Sequence, residues 1–488
     1  MIRPHAAGIA AILIVIAFAL IAAAAFWLAG NRDGESAPSG AASRSGSLAF
    51  AWGLAGLSIE GAARSEHNDA DGIGVDNEGN VYVAGVFNGT IAIGAEMLES
   101  RGAGDIFILR LNRDGTLAWV KQFGGAGDDN AYDLDVGPGG MVVMNGWFAE
   151  TVSFDDHDLF SAGGQDQFVV RLDPAGKVVW AKRFGGARGD GGNEVTVGDD
   201  GAIYATAITQ GPYAAGAFSF DHQAKRDSYL LKLSSEGEVL WARGTRGSGS
   251  QRLRAVAIGE DGTVYGGYEL EGEFKLEEHT HVSRGKRDGA IAAWTPGGDL
   301  LSVAYITGEG DDNVRGIARG PDRSVYVTGI WGDGANAFGR TLGTTRAGID
   351  AYVARMEENG ALAWLMTMGP TSNGQGGEIE SDDRGTAYFS TDVVGELGVE
   401  KDGTPVAAIT GPGERASLLL AIDPAGTIVS HITPDDSTMS GGQTLGVSPD
   451  GTRIATSNFF FETVAYGVRA FSARGAGKNF LIAAFSND

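Results

Sequence analysis

One segment recurs along the chain and limits what it can fold into. Residues 115–125 read Gly-Thr-Leu-Ala-Trp119-Val-Lys-Gln-Phe-Gly-Gly: a turn glycine, a strand-like run centred on tryptophan, and a glycine stop. The pattern returns as Gly176-Lys-Val-Val-Trp180-Ala-Lys-Arg-Phe-Gly-Gly186, and in shorter form around Trp241 and Trp364. Serine fills the slot at Ser302 and Ser430, and one copy, around Trp52, stands alone near the N-terminus. The slots at 52, 119, 180, 241, 302, 364 and 430 are 67, 61, 61, 61, 62 and 66 residues apart. A fixed period of this size marks a repeat architecture, in which each unit buries its faces against its neighbours.

Each unit holds four strand-like runs, with a variable excursion between the second and third. The second run is built around a tyrosine at Tyr82, Tyr204, Tyr265, Tyr326 and Tyr388. The third opens on an aspartate at Asp105, Asp166, Asp227, Asp288 and Asp350, with Ala416 and Asn479 in the last two units. Runs such as Ile106–Leu111 are apolar on both faces apart from one arginine. A half-exposed strand would alternate, so these belong to sheets sandwiched between other sheets, as in radially packed four-stranded blades. The tryptophan is expected to fill the gap between adjacent blades.

Seven such units follow residue 58, but the last ends at Asn479–Asp488 without its tryptophan strand. The orphan copy at Leu48–Leu54 supplies the missing strand. The expected fold is therefore all-β: a seven-bladed β-propeller of four-stranded antiparallel blades, closed by the N-terminal strand and preceded by one N-terminal apolar helix. Closure would hide sheet edges that otherwise invite aggregation.

Three segments result: 1–30 as membrane anchor or signal sequence, 31–47 as a flexible polar linker, and 48–488 as the propeller. The run Ala6–Leu28 carries no charge and is long enough to span a bilayer, with Arg3 on its short side and Trp27 near its outer end. That predicts a single-pass protein with the propeller extracytoplasmic, periplasmic or at the cell surface. The rival expectation is secretion after cleavage near the alanines at 22–25.

Composition excludes several classes. With no cysteine there is no disulfide, thiolate metal site or cysteine nucleophile. A formal charge of −25 disfavours nucleic acid and anionic lipid as partners. An acidic surface of this kind either is simply solvated or attracts Ca²⁺ or a cationic partner.

The repeat resembles the bacterial seven-bladed beta-propeller repeat family. The resemblance is carried by Gly79-Asn-Val-Tyr-Val-Ala-Gly-Val-Phe87, by Asp166-Gln-Phe-Val-Val-Arg-Leu172 and by the Gly-x-x-x-Trp-Ala segments, and covers nearly everything after residue 47. It departs at Ser302, Ser430, Ala416 and Asn479. The resemblance implies an exported or surface protein; it carries no catalytic residues with it.

Acids and amides ahead of the inner strands form the first candidate site: Asp69 and Asp71 (after His67), Asp128, Asp129 and Asn130, then Asp190, then Asp311, Asp312 and Asn313. They are expected to ring one mouth of a central channel, where hard oxygen donors suit Ca²⁺. The alternative is local turn chemistry, in which Asp and Asn bond nearby backbone N–H groups. The third-strand aspartates recur too regularly to be catalytic and read as architectural. Glu277-Glu278-His279-Thr-His281 has zinc-type donors but sits in an excursion, as does Asp155-Asp156-His157-Asp158, and both read as exposed acidic loops. Arg188-Gly-Asp190 reads as a chance tripeptide, and Asn88-Gly-Thr90 is a sequon that matters only in a eukaryotic secretory route. No Gly-x-Ser-x-Gly elbow, phosphate loop or His-Glu-x-x-His occurs.

The expected function is a monomeric, non-enzymatic binding or scaffold module at the cell envelope, taking a protein or carbohydrate ligand. The alternatives are a lyase- or dehydrogenase-like enzyme sited at the channel mouth, and a purely structural surface repeat.

Overall fold

Strands whose two faces are both apolar need sheet neighbours on both sides, and the chain supplies them. The computed structural model describes residues 48–58, 68–222, 225–346, 348–370, 377–412, 415–437, 440–473 and 478–487. The expected apolar helix, the linker and His67 lie outside the described residues. Among the described residues no α-helix occurs, and no helix is long and apolar enough to cross a membrane.

Seven four-stranded antiparallel meanders follow one another. Sheet I runs Asn68–Val75, Val81–Phe87, Asp105–Leu111, Leu117–Phe123. Sheets II to VI repeat that order from inner strands Asp129–Gly137, Asp190–Val197, Ser250–Ile258, Asn313–Arg319 and Glu378–Ser381. Sheet VII has Ser440–Val447, Arg453–Phe460 and Asn479–Asn487, and its fourth strand is Leu48–Ser58 from the other end of the chain. That strand pairs antiparallel with the C-terminal one, Leu48 opposite Asn487 and Gly56 opposite Phe480.

Seven apolar clusters sit at the seven junctions. Tyr82 and Ile108 of sheet I meet Met144 and Phe168 of sheet II; the series continues around to Tyr388 and Leu419 of sheet VI against Leu445 and Phe485 of sheet VII. The last cluster joins Phe480 and Ile482 of sheet VII to Ile73, Val83 and Phe107 of sheet I, so the packing order is cyclic. The arrangement is propeller-like, with each sheet open and the cycle made by packing between sheets.

The tryptophan slot fastens the junctions. Trp180 Nε1 of sheet II donates to the Ser235 carbonyl in the last turn of sheet III at 3.0 Å. Trp241 reaches Pro296 O of sheet IV at 3.1 Å, Trp364 reaches Pro424 O of sheet VI at 2.9 Å, and Trp52 reaches Arg113 O of sheet I at 2.9 Å. The cross-strand neighbour of the tryptophan adds a cation to the same oxygen: Arg171 to Ser235 O at 2.9 Å, Lys232 to Pro296 O at 3.1 Å, Arg355 to Pro424 O at 3.0 Å. Where serine replaces tryptophan, alanine replaces the cation, as in the pairs Ala293–Ser302 and Ala421–Ser430. At Trp52 the tryptophan stands without the cation, since its cross-strand neighbour is Ala484. The turn glycine has its own reason: at Gly237, with φ +81°, an added Cβ would come within 3.1 Å of the Trp180 ring.

Trp241 and Trp364 are buried, 7% and 4% exposed. Replacing either with alanine is expected to cost ~3–5 kcal/mol, read from chemical denaturation, because both the ring volume and a bond to a neighbouring sheet are lost. Trp119 is half-buried and its bond to Pro174 O is longer, 3.4 Å, so Trp119→Ala should cost clearly less.

The excursions cover sheet edges. The hairpin Thr90–Ile93/Glu96–Glu99 adds to the outer edge of Leu48–Ser58, and Glu396–Lys401/Thr404–Thr410 adds to Leu362–Gly369. Each comes from the following unit and caps the sheet before it, which blunts the outer edges.

Candidate functional site

Six of the seven inner strands slip register near one place. The irregularities fall between Ala70 and Gly72, Ala131 and Asp133, Gly192 and Val195, Leu253 and Ala255, Val314 and Gly316, and Gly442 and Thr444. A bulge leaves one residue unpaired and re-aims its side chain. In sheets I to V the residue at the bulge is Asp71, Tyr132, Asn193, Arg254 or Arg315, successive positions being 61 apart. All five line a cavity of about 430 Å³ surrounded by the inner strands.

The lining is highly charged. It contains seven carboxylates, Asp71, Asp133, Asp135, Glu194, Glu378, Glu380 and Asp392, against four cations, Arg254, Arg315, Arg415 and Lys478. Some of this charge is structural. The Asp133 carboxylate accepts Val195 N at 2.8 Å and Asp135 accepts Val197 N at 2.8 Å, tying sheet II to sheet III. Arg415 Nε donates to Asp392 at 2.8 Å. Arg254 keeps a buried Nε with no hydrogen-bond partner among the described residues.

Burial sets the proton affinities here. It pushes Asp71 up to about 7, helped by Asp69 and opposed by Lys478 and Asn130. It raises Glu378 to about 7 against the pull of Arg315 and Arg254, and Glu380 to about 8, with Asp135 and Glu378 adding to the rise. Burial also holds Asp133 and Glu194 well above the usual carboxylate range. Arg315 is lowered, first by burial and then by Arg254. Among the described residues, no histidine lines the cavity.

The nine acids and amides singled out ahead of the inner strands take other places, Asp190 accepting Gly186 N at 2.6 Å. Only Asp71 lines the cavity; Asp69 pairs with Lys478 beside it, and Asn130 bonds Asp71. Asp129 is fully buried and accepts Gly125 N at 2.9 Å and Ala149 N at 3.3 Å. Asp128 forms a bridge to Gly104. Asp312 accepts Gly332 N at 2.8 Å, Asn313 accepts Ile330 N at 3.2 Å, and Asp311 pairs with Arg287. Asp129, Asp312 and Asn313 thus serve as acceptors for backbone N–H groups, which need partners when buried. Among the described residues, no three His, Asp or Glu side chains converge as metal ligands.

The third-strand aspartates hold the loops that lead into their strands. Asp105 accepts Arg101 N at 3.0 Å and Gln122 Nε2 at 2.7 Å. Asp288 accepts Arg284 N at 3.2 Å and meets His281 Nε2 at 2.6 Å. His281 also stacks on Tyr305 at 4.5 Å. Asp155 pairs with Lys121 at 3.0 Å.

Sequence reasoning missed Tyr132, Asn193, Arg254 and Arg315. The signal is a repeat position, 61 residues apart from unit to unit, that carries Asp, Tyr, Asn, Arg and Arg in turn.

No family profile matches the sequence, and no curated protein matches it. Among solved structures, Sqt1 from Chaetomium thermophilum aligns at 11% identity and a TM-score of 0.38, covering 88% of this chain and 100% of that one. A gluconolactonase from Xanthomonas campestris aligns at 12% identity and 0.33, covering 90% and 97%. A protein of unknown function from Bacteroides caccae aligns at 11% and 0.33, covering 67% and 89%. At these values the likenesses assign no activity or ligand to this chain.

Proposed function

We propose that the chain is a seven-bladed propeller, closed by its N-terminal strand, that acts as a non-enzymatic binding module at the cell envelope. Its ligand is a small polar group, from a carbohydrate or a protein, held at the central cavity. One observation carries this reading: the same bulge position bears Asp71, Tyr132, Asn193, Arg254 and Arg315 in successive units. A purely structural repeat would keep one residue there, as the third-strand aspartate does. An acid, a phenol, an amide and two arginines on one scaffold make an asymmetric surface, which recognition requires. The uncharged run Ala6–Leu28 and the polar 31–47 segment support a single-pass anchor with the cavity extracytoplasmic.

A second reading, a lyase-like enzyme at the same cavity, is favoured by Asp71 and Glu378, whose carboxyls are pushed up to about 7 by burial, with Lys478 beside the first and Arg315 and Arg254 beside the second. A glycan and peptide array, probed with residues 46–488 and with the Arg254→Gln/Arg315→Gln variant, separates the two. Binding without turnover, lost in the variant, supports the module. Turnover of a bound probe that disappears in the variant assigns the enzyme.

A further inference from the structure

Next to the central cavity lies a shallow groove of about 310 Å³ across sheets II to IV. Tyr132, Asn193 and Arg254 line both, so one ligand can reach from groove to cavity. The groove adds Trp147, Gln165, Gln210, Arg226 and Arg252. Its floor is the start of the strand Asp190–Val197, where an added Cβ at Gly192 would overlap Asn145.

The charge here runs against the rest of the chain. Glu269, only 5% exposed, faces three guanidinium groups: Arg252 at 3.6 Å, Arg254 at 3.5 Å and Arg287 at 2.9 Å. Arg287 also engages Asp311. Arg226 pairs with no carboxylate among the described residues, and Arg254 Nε has no acceptor. In a chain of net charge −25, a local excess of arginine with donors unspent calls for an external anion. Tyr132, 43% exposed, and the half-buried Trp147 offer aromatic surface, and Gln165, Gln210 and Asn193 offer amides. Aromatic rings with amides suit hydroxyl-rich sugar rings. Ile208 is the one aliphatic side chain in the lining, so there is no apolar pocket for a peptide anchor.

We propose that this groove is a subsite for an acidic oligosaccharide, its anionic substituent held by Arg226, Arg252 and Arg254 and its ring face by Trp147 and Tyr132. This rests on the binding reading above and names its ligand class. The anion is a uronate carboxylate or a sulfate ester, which present the same acceptor chemistry to guanidinium groups.

Calorimetric titration of residues 46–488 tests it with a glucuronate tetramer, its carboxyl-reduced neutral counterpart, a sulfated galactan oligomer and a polyglutamate peptide. Binding of the glucuronate or the sulfated oligomer supports the subsite, and the stronger of the two identifies the anion. Arg226→Gln, which removes no internal ion pair, should weaken that binding about tenfold with an unchanged melt. Trp147→Phe should weaken it less. Equal affinity for the neutral tetramer overturns the anion, and preference for polyglutamate overturns the sugar. If none of the four binds, the subsite falls, while the binding reading is judged separately by the array and the Arg254→Gln/Arg315→Gln variant.

Discussion

Deleting residues 48–58 lowers the melting of the whole body that remains, not of one sheet. The strand makes eight register pairs with Phe480–Asn487. It also places Leu48 against sheet VI, where its N–H donates to Ser430 Oγ at 2.9 Å, and Trp52 against sheet I. Removing it strips two junctions of Leu48, Trp52, Leu54 and Leu57 together and leaves the C-terminal strand with a free edge. Because the junctions are cyclic, opening one releases the constraint on the rest. A fall in Tm on the order of 10 °C, with aggregation on heating, is expected from calorimetry. A synthetic 48–58 peptide added in trans should recover part of it. A truncated protein that melts like the full one would contradict the pairing of the two ends.

Acid stabilises this protein within a limited window. Burial pushes Asp129 and Asp190 up to about 7 and Asp312 to about 6, each with a neighbouring sheet's Asp105, Asp166 or Asp288 adding to the rise. Unfolded, these groups titrate near ~3.9. The folded state therefore holds more protons between about pH 4 and pH 7, and the stability they contribute is lost as pH rises through their folded values. The geometry agrees, since Asp190 Oδ1 and Asp312 Oδ2 are buried and have no partner among the described residues. Each pH unit of such a rise corresponds to ~1.4 kcal/mol, so three seams give a total effect of several kcal/mol. Tm should be higher at pH 5 than at pH 8. Asn68 and Gln251 already occupy this slot, 61 residues either side of Asp129 and Asp190, so an amide fits there. Asp129→Asn and Asp190→Asn should raise Tm at pH 8 and flatten the profile; a variant that keeps the full pH dependence would contradict the seam assignment.

The repeats were legible because they are enforced by packing. A tryptophan that must reach a neighbour's turn carbonyl recurs at a fixed spacing, and so does the aspartate that holds each third strand. The pairing of the chain ends followed from a strand missing at Asn479–Asn487 and an orphan copy at Leu48. The cavity was not legible in the same way. Its residues sit at bulges, which follow from backbone register and leave no composition signal, and they vary from unit to unit. The acidic clusters at 128–130 and 311–313 read as oxygen donors around a channel mouth, yet Asp129 and Asp312 are buried and accept backbone N–H groups. The loss of cation and tryptophan together, at Ala293–Ser302 and Ala421–Ser430, became readable only once the strands were in register.

Titration of a probe retained on the array into wild-type protein and into the Arg254→Gln/Arg315→Gln variant tests the central claim most directly. The account predicts at least a ~10-fold loss of affinity in a variant that still melts cooperatively, since charge-assisted hydrogen bonds to a ligand are each worth ~1.5–3 kcal/mol. Equal affinity in the two proteins would contradict it, and would move the binding surface away from the central cavity.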